Sequence, residues 1–214
     1  MEAKTISLKT GAISIAAILF IEIGFRSAMG GRVASSLTAL GLIRCLESIL
    51  LLVIAFAFEK GLESIGLSRS KILTGLMKGL IWSACFGVAA GVLFLVLTAA
   101  GINALDLLHG PGTSSWQQIF IFLLVGGVIG PIAEEIFFRG IIFGLFRQWG
   151  AIAAIILSTL IFVVIHPVGT NLPVTQLVGG IVFASAYERE RNLMVPITIH
   201  CLGNLAIFSL TILS

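Results

Sequence analysis

Long apolar runs separated by short polar interruptions dominate the chain. A membrane-crossing helix needs about 20 mostly apolar residues. On that measure, spans are predicted at roughly 10–26, 34–58, 73–101, 117–146, 151–166, 173–187 and 193–213. The fourth run is too long for a simple crossing, and Pro131 within it is expected to break the helix. The fifth and sixth are short, as suits helices buried among protein neighbours, and one further break would raise the count to eight. The expected fold class is therefore all-α, a polytopic transmembrane helix bundle of about seven spans. It is read as a single membrane-embedded domain over 1–214, with its chemistry-bearing core at about 117–213 and its longest polar loop at about 102–116. Lys4 and Lys9 ahead of the first run resemble a signal peptide, but the run's length and the immediate second span favour a retained helix.

Composition sharpens this. Hydrophobic residues make up 58% of the 214 and charged residues 11%, with a mean hydropathy of +1.13. A soluble domain carries about 25% charged residues, so a disordered tail, a disulfide scaffold and an ordinary cytosolic enzyme are excluded. The net charge of +3 is spread thinly, which leaves no basic stripe for nucleic acid. The 24 glycines suit close helix approach in a bilayer. Cys45, Cys85 and Cys201 stand singly and outline neither a zinc ribbon nor a disulfide framework. With seven spans, Lys4, Lys9, Lys60, Arg69, Lys71, Arg147, Arg189 and Arg191 share one side, against only Arg26 and Arg32 on the other. The positive-inside rule then places the N-terminus in the cytoplasm. Residues 62–72, with Leu62, Ile65 and Leu67 among polar neighbours, form a short amphipathic stretch expected to lie at that surface.

Ionisable groups inside a bilayer cost about 3 kcal/mol or more each, so each asks for a reason. Arg44 and Glu47, spaced i,i+3, can neutralise one another; Lys78 can snorkel from near a helix end; Glu22 sits about one turn from the outer boundary. Pro131 through Arg139 is different. Pro131 suits a first helical turn, which would leave Glu134 and Glu135 near a helix N-terminus. Glu135 and Arg139 are i,i+4 in the orientation that favours pairing. Glu134 points about 100° away and has no partner nearby in sequence. One glutamate is therefore assigned to structure and the other is left for chemistry.

Depth brings in further groups. At about 1.5 Å per residue, Glu134 lies roughly 20 Å from the inner boundary, His166 roughly 24 Å, and His200 and Asn204 roughly 12 and 18 Å. His200 and Asn204, i,i+4, share a helix face. Three spans thus deliver Glu, His, His and Asn to one layer. A carboxylate there suits a general base, with a histidine sharing its water. The Asn204 amide and a His200 ring N–H suit a developing oxyanion, each donor being worth roughly 3–4 kcal/mol. Base, water and oxyanion donors make a hydrolase for a carbonyl bond, most simply a peptide bond. No H-E-x-x-H is present and no G-x-S-x-G. Zinc on Glu134, His166 and His200 is the alternative use of the same side chains.

Glu134-Glu135-x-x-x-Arg139, Phe162-x-x-x-His166 and His200-x-x-x-Asn204 resemble the three motifs of the CAAX protease and bacteriocin-processing (CPBP, or Abi) intramembrane proteases. The tract Tyr187-Glu188-Arg189 through Asn192-Leu193 and Pro196-Ile197 resembles the lead-in to the third motif, and the resemblance covers about residues 130–204. It implies endopeptidase activity within a membrane, with prenylated CAAX tails or bacteriocin and leader peptides as substrate classes. On that resemblance Glu134 and His166 would activate water, His200 and Asn204 would bind the oxyanion, and Glu135, Arg139 and Phe162 would support them without a metal cofactor. Glu190 and Arg191 depart from the Thr and Gly frequent in the family. The expected partners are a peptide or protein substrate, lipidated in some cases, and the lipid bilayer of a prokaryotic plasma membrane. Two other classes fit the same polar cluster: a small proton-coupled carrier, although the repeat symmetry many carriers show is missing, and a non-catalytic membrane interaction protein.

The topology is directly measurable. A reporter fused after Ser214 should appear outside the cytoplasm and one in the 59–72 loop inside; an eighth span would reverse the C-terminal result.

Overall fold

A computed structural model describes residues 5–28, 36–102, 115–166 and 173–213. Lys4, Arg32, the Arg26 side chain, most of the 102–116 loop and Ser214 lie outside the described residues. The described residues form seven helices: α1 (Leu8–Ala28), α2 (Leu37–Phe58), α3 (Ile72–Ala99), α4 (Trp116–Trp149), α5 (Ala151–Val164), α6 (Val174–Glu190) and α7 (Met194–Leu213). α1, α2, α3, α4 and α7 are long and apolar enough to cross a membrane. α5, with 14 residues, rises about 21 Å and packs along α6 and the second half of α4. Large apolar side chains such as Phe20, Leu42, Leu73, Val88, Phe120 and Ile152 face outward, the arrangement a lipid solvent permits.

Between helices, association rests on close approach rather than on apolar burial, because lipid tails are themselves apolar. α3 and α7 show it: a Cβ on Gly79 would come within 2.5 Å of Thr198 Cβ, so only glycine lets these backbones meet. The N-terminal end is tied down by polar contacts. Ser7 Oγ and Thr10 Oγ1 both donate to Glu59 Oε1. Burial pushes the Glu59 carboxyl up, but the hydrogen bonds from Thr10 and Ser7 outweigh it and hold the group below its ordinary value. Arg44 lies between two carboxylates, 2.6 Å from Glu47 and 3.0 Å from Glu22. Glu22 thus has an ionic partner across the α1–α2 interface. Lys78 does more than snorkel, since it pairs with Glu190 at the end of α6.

Two expectations are revised. Pro131 does not break α4. Helical dihedrals run through Ile129 (φ −66°, ψ −46°) and Gly130 (φ −57°, ψ −57°). The preceding Val125–Ile129 turn is π-helical, and the Gly130 N–H reaches back to Val125 O. This widened turn accommodates the ring and missing N–H of Pro131. Glu134 and Glu135 consequently sit in mid-helix rather than at a helix N-terminus. The 62–72 stretch also does not simply lie on the surface. It folds as two 3-10 turns, Leu62–Ile65 and Arg69–Lys71; Ile65 is fully buried in the main core cluster, and Gly66 O accepts from the Leu193 N–H at 3.1 Å. Glu63 and residues 69–72 face outward, while Ile65, with Leu62 and Leu67 beside it, inserts into the bundle against α2 and α4.

Candidate active site

α4 carries the central side chains. After Gly130–Glu135 the helix widens again, with π-helical turns over Ile136–Phe143. Such widened turns recur at functional sites because they re-aim side chains. Glu135 and Arg139 are both fully buried, and Arg139 Nε lies 3.1 Å from Glu135 Oε2. The expected i,i+4 pair therefore forms, but not as a directed hydrogen bond: Glu135 Oε2, Arg139 Nε and Arg139 Nη1 lack hydrogen-bond partners. Other contacts hold the guanidinium. Arg139 Nη2 donates to Gly180 O at 3.2 Å, and its Cζ sits 5.8, 5.1 and 5.5 Å from the ring centroids of Phe138, Phe162 and Phe183, a cation–π enclosure. Gly180 must be glycine for α6 to approach this closely, since a Cβ there would come within 2.7 Å of Thr159 Cγ2.

The other Glu135 oxygen, Oε1, is 2.7 Å from His200 Nδ1 on α7. Its carboxylate is paired with Arg139, so the histidine is the donor and Nδ1 carries the proton. On α5, His166 Nδ1 lies 2.7 Å from Phe162 O; a carbonyl can only accept, so this Nδ1 is also protonated. Both histidines thereby turn Nε2 toward Glu134: His166 Nε2 is 3.5 Å from Glu134 Oε1, and His200 Nε2 is 3.8 Å from Glu134 Oε2. Side-chain exposures are 22% for Glu134, 30% for His166 and 6% for His200, so the glutamate and one histidine remain reachable while the other is enclosed.

The structure thus brings Glu134, Glu135, Arg139, Phe162, His166 and His200 together. Asn204, one turn beyond His200 on α7, donates from Nδ2 to Gly126 O at 3.0 Å. Its contact is with the π-helical turn of α4 rather than with the glutamate and histidines. Cys201 faces away, toward Val128 O at 3.8 Å. The zinc set is joined pairwise through Glu134, and among the described residues no group of three or more His, Cys, Asp or Glu is arranged to hold a metal ion. Sequence reasoning placed the helix that is α6 but missed its contribution to the site. Gly180 and Phe183 complete the wall, yet their spacing gives no more than a Gly-Gly pair followed by an aromatic. The departures from the family pattern also find their places. Glu190 is bound by Lys78 and by Trp82 Nε1 at 3.2 Å. Arg191 adopts φ +51° at the end of α6, a left-handed conformation that glycine takes at less cost.

Residues 116–206 match the family model described as type II CAAX prenyl endopeptidase Rce1-like. The chain is 35% identical over 89 residues to a putative membrane peptidase, YdiL, of Bacillus subtilis (strain 168), covering 41% of this chain and 36% of that protein. It is 39% identical over 95 residues to the membrane-embedded CAAX protease MroQ of Staphylococcus aureus (strain USA300), covering 41% and 38% respectively. The matches thus span less than two-fifths of either relative. No solved structure matches. The matched segment contains all three motifs, and the CPBP resemblance is shown for the residues that carry them.

The Glu135 pair is testable apart from any activity. Glu135→Gln and Arg139→Met should each lower stability by about 3–5 kcal/mol, the cost of leaving one buried charge without its partner. The double variant should lose less than the sum. Thermal unfolding in detergent measures all three, and additive losses would contradict a coupled pair.

Proposed function

We propose that the protein is an intramembrane endopeptidase that hydrolyses a peptide bond with a water activated by Glu134 and His166. The observation that carries this reading is the approach of two histidine Nε2 atoms to one half-buried carboxylate, with both Nδ1 atoms committed elsewhere. Water bound between Glu134 and His166 attacks the carbonyl carbon as Glu134 takes its proton. The tetrahedral oxyanion is met by an Asn204 amide N–H and by His200. Because the His200 Nδ1 proton is directed to Glu135, His200 donates from Nε2 only as an imidazolium. Glu135 already balances Arg139, so the matching negative charge is that of Glu134 and, once Glu134 has taken the proton, that of the oxyanion. Collapse breaks the C–N bond, and the leaving amine takes the proton from Glu134.

The relatives support the reaction class, since one is named a membrane peptidase and the other a CAAX protease. A peptide or protein end carrying a lipid is the substrate class that a site set among apolar helices suits, and leader-type peptides are the second class. The location proposed is a prokaryotic plasma membrane with the N-terminus in the cytoplasm. The mechanism proposed uses no metal; zinc on Glu134, His166 and His200 is the competing arrangement.

Fluorogenic lipidated and unlipidated peptides, assayed with the purified protein, separate these. Asn204→Ala should lower the catalytic rate by about 10²–10³ with a smaller effect on substrate binding. Purified active protein should contain no stoichiometric metal and respond little to chelators. Stoichiometric zinc, chelator-sensitive activity restored by zinc, and a mild Asn204→Ala phenotype would together overturn the metal-free mechanism.

A further inference from the structure

His200 is anchored in its own plane by a single hydrogen bond, Nδ1 to Glu135. One such bond fixes a point on the ring but not its tilt, and tilt decides where Nε2 points. The face of the ring is covered by Phe183 of α6, with centroids 4.6 Å apart and planes 26° from parallel. Phe162 meets the imidazole edge-on at 6.1 Å and 76°. Phe183 is itself nearly buried and packed in a cluster with Ala186, Val195 and Ile199, so it is a fixed surface. It also lies 5.5 Å from the Arg139 guanidinium, while Gly180, one turn earlier on α6, accepts from that guanidinium. One face of α6 therefore holds both partners of Glu135. We infer that Phe183 is a positioning residue that sets the ring plane of His200, and through it the direction of Nε2 toward Glu134.

Its role in catalysis rests on the endopeptidase reading, but the ring geometry does not, and the experiment separates the two. The full chain would be prepared with 15N-labelled histidine, of which it has three, as wild type and as Phe183→Leu, Phe183→Tyr and Val195→Ala. In Phe183→Leu the catalytic rate should fall about tenfold or more, the scale expected when a catalytic group is displaced by less than 1 Å, with KM within about threefold. Its His200 ring protons should lose their ring-current shift, and the Nδ1-protonated nitrogen pattern should give way to an averaged one. Phe183→Tyr keeps a ring and should restore rate and spectrum to within about threefold of wild type. Val195→Ala removes packing from the same cluster without touching the face of His200. It should lower thermal stability while leaving the rate and the His200 resonances in place. Unchanged His200 resonances in Phe183→Leu, or equal rate losses in Phe183→Leu and Val195→Ala, would overturn the inference. If the wild type cleaves no peptide, the endopeptidase reading fails, and the spectra alone decide whether Phe183 orients the ring.

Discussion

A carboxylate with no exposed surface, set among apolar helices, is the constraint around which this bundle is arranged. Glu135 has zero exposure, and a charge in such a place is tolerated only when it is paired. Its two oxygens face different helices: one meets Arg139 on its own helix, the other His200 on α7. Arg139 in turn reaches the α6 backbone at Gly180 and the Phe162 ring of α5. Four helices are thus referred to a single group. The cost of desolvating Glu135 is offset by contacts that also fix the relative positions of α4, α5, α6 and α7.

The arrangement divides labour between adjacent glutamates. Successive residues on a helix point about 100° apart, so Glu135 can be committed to the interior while Glu134 faces the two histidine Nε2 atoms. The commitments of Nδ1 then matter as much as the positions of Nε2. Phe162 O and Glu135 each hold an Nδ1 proton, which leaves both Nε2 atoms as acceptors toward an acceptor carboxylate when the rings are neutral. Three acceptors facing one another favour a guest that brings protons, and the proposed nucleophilic water is such a guest. In the proposed mechanism His200 meets the oxyanion as an imidazolium set against Glu134, since the Glu135 charge is already matched by Arg139.

Much of this was legible in the sequence, for physical reasons. Spans follow from apolar length, and the common depth of Glu134, His166 and His200 follows from a fixed helical rise. The pairing of Glu135 with Arg139 follows from i,i+4 spacing. Other features depend on tertiary fit and left no local trace. Pro131 signals a break on its own, but the π-helical turn at Val125–Ile129 absorbs it and keeps α4 continuous. The 62–65 turn reads as a surface element because only the packed bundle reveals that Ile65 inserts against Gly140. Phe183 and Gly180 belong to no spacing pattern; they matter because α6 crosses behind His200 and Arg139. Asn204 was read as sharing a helix face with His200, but its bond to Gly126 O depends on where the widened turn of α4 puts that carbonyl.

The proposed division makes Glu134 the base and Glu135 the anchor. Its most direct test is Glu134→Gln, which keeps the shape of the side chain and removes its ability to take a proton. Peptide cleavage and thermal unfolding should be measured on the same preparation. The variant should be folded, with wild-type stability and no turnover. Cleavage at a near-normal rate would contradict the assignment of the base.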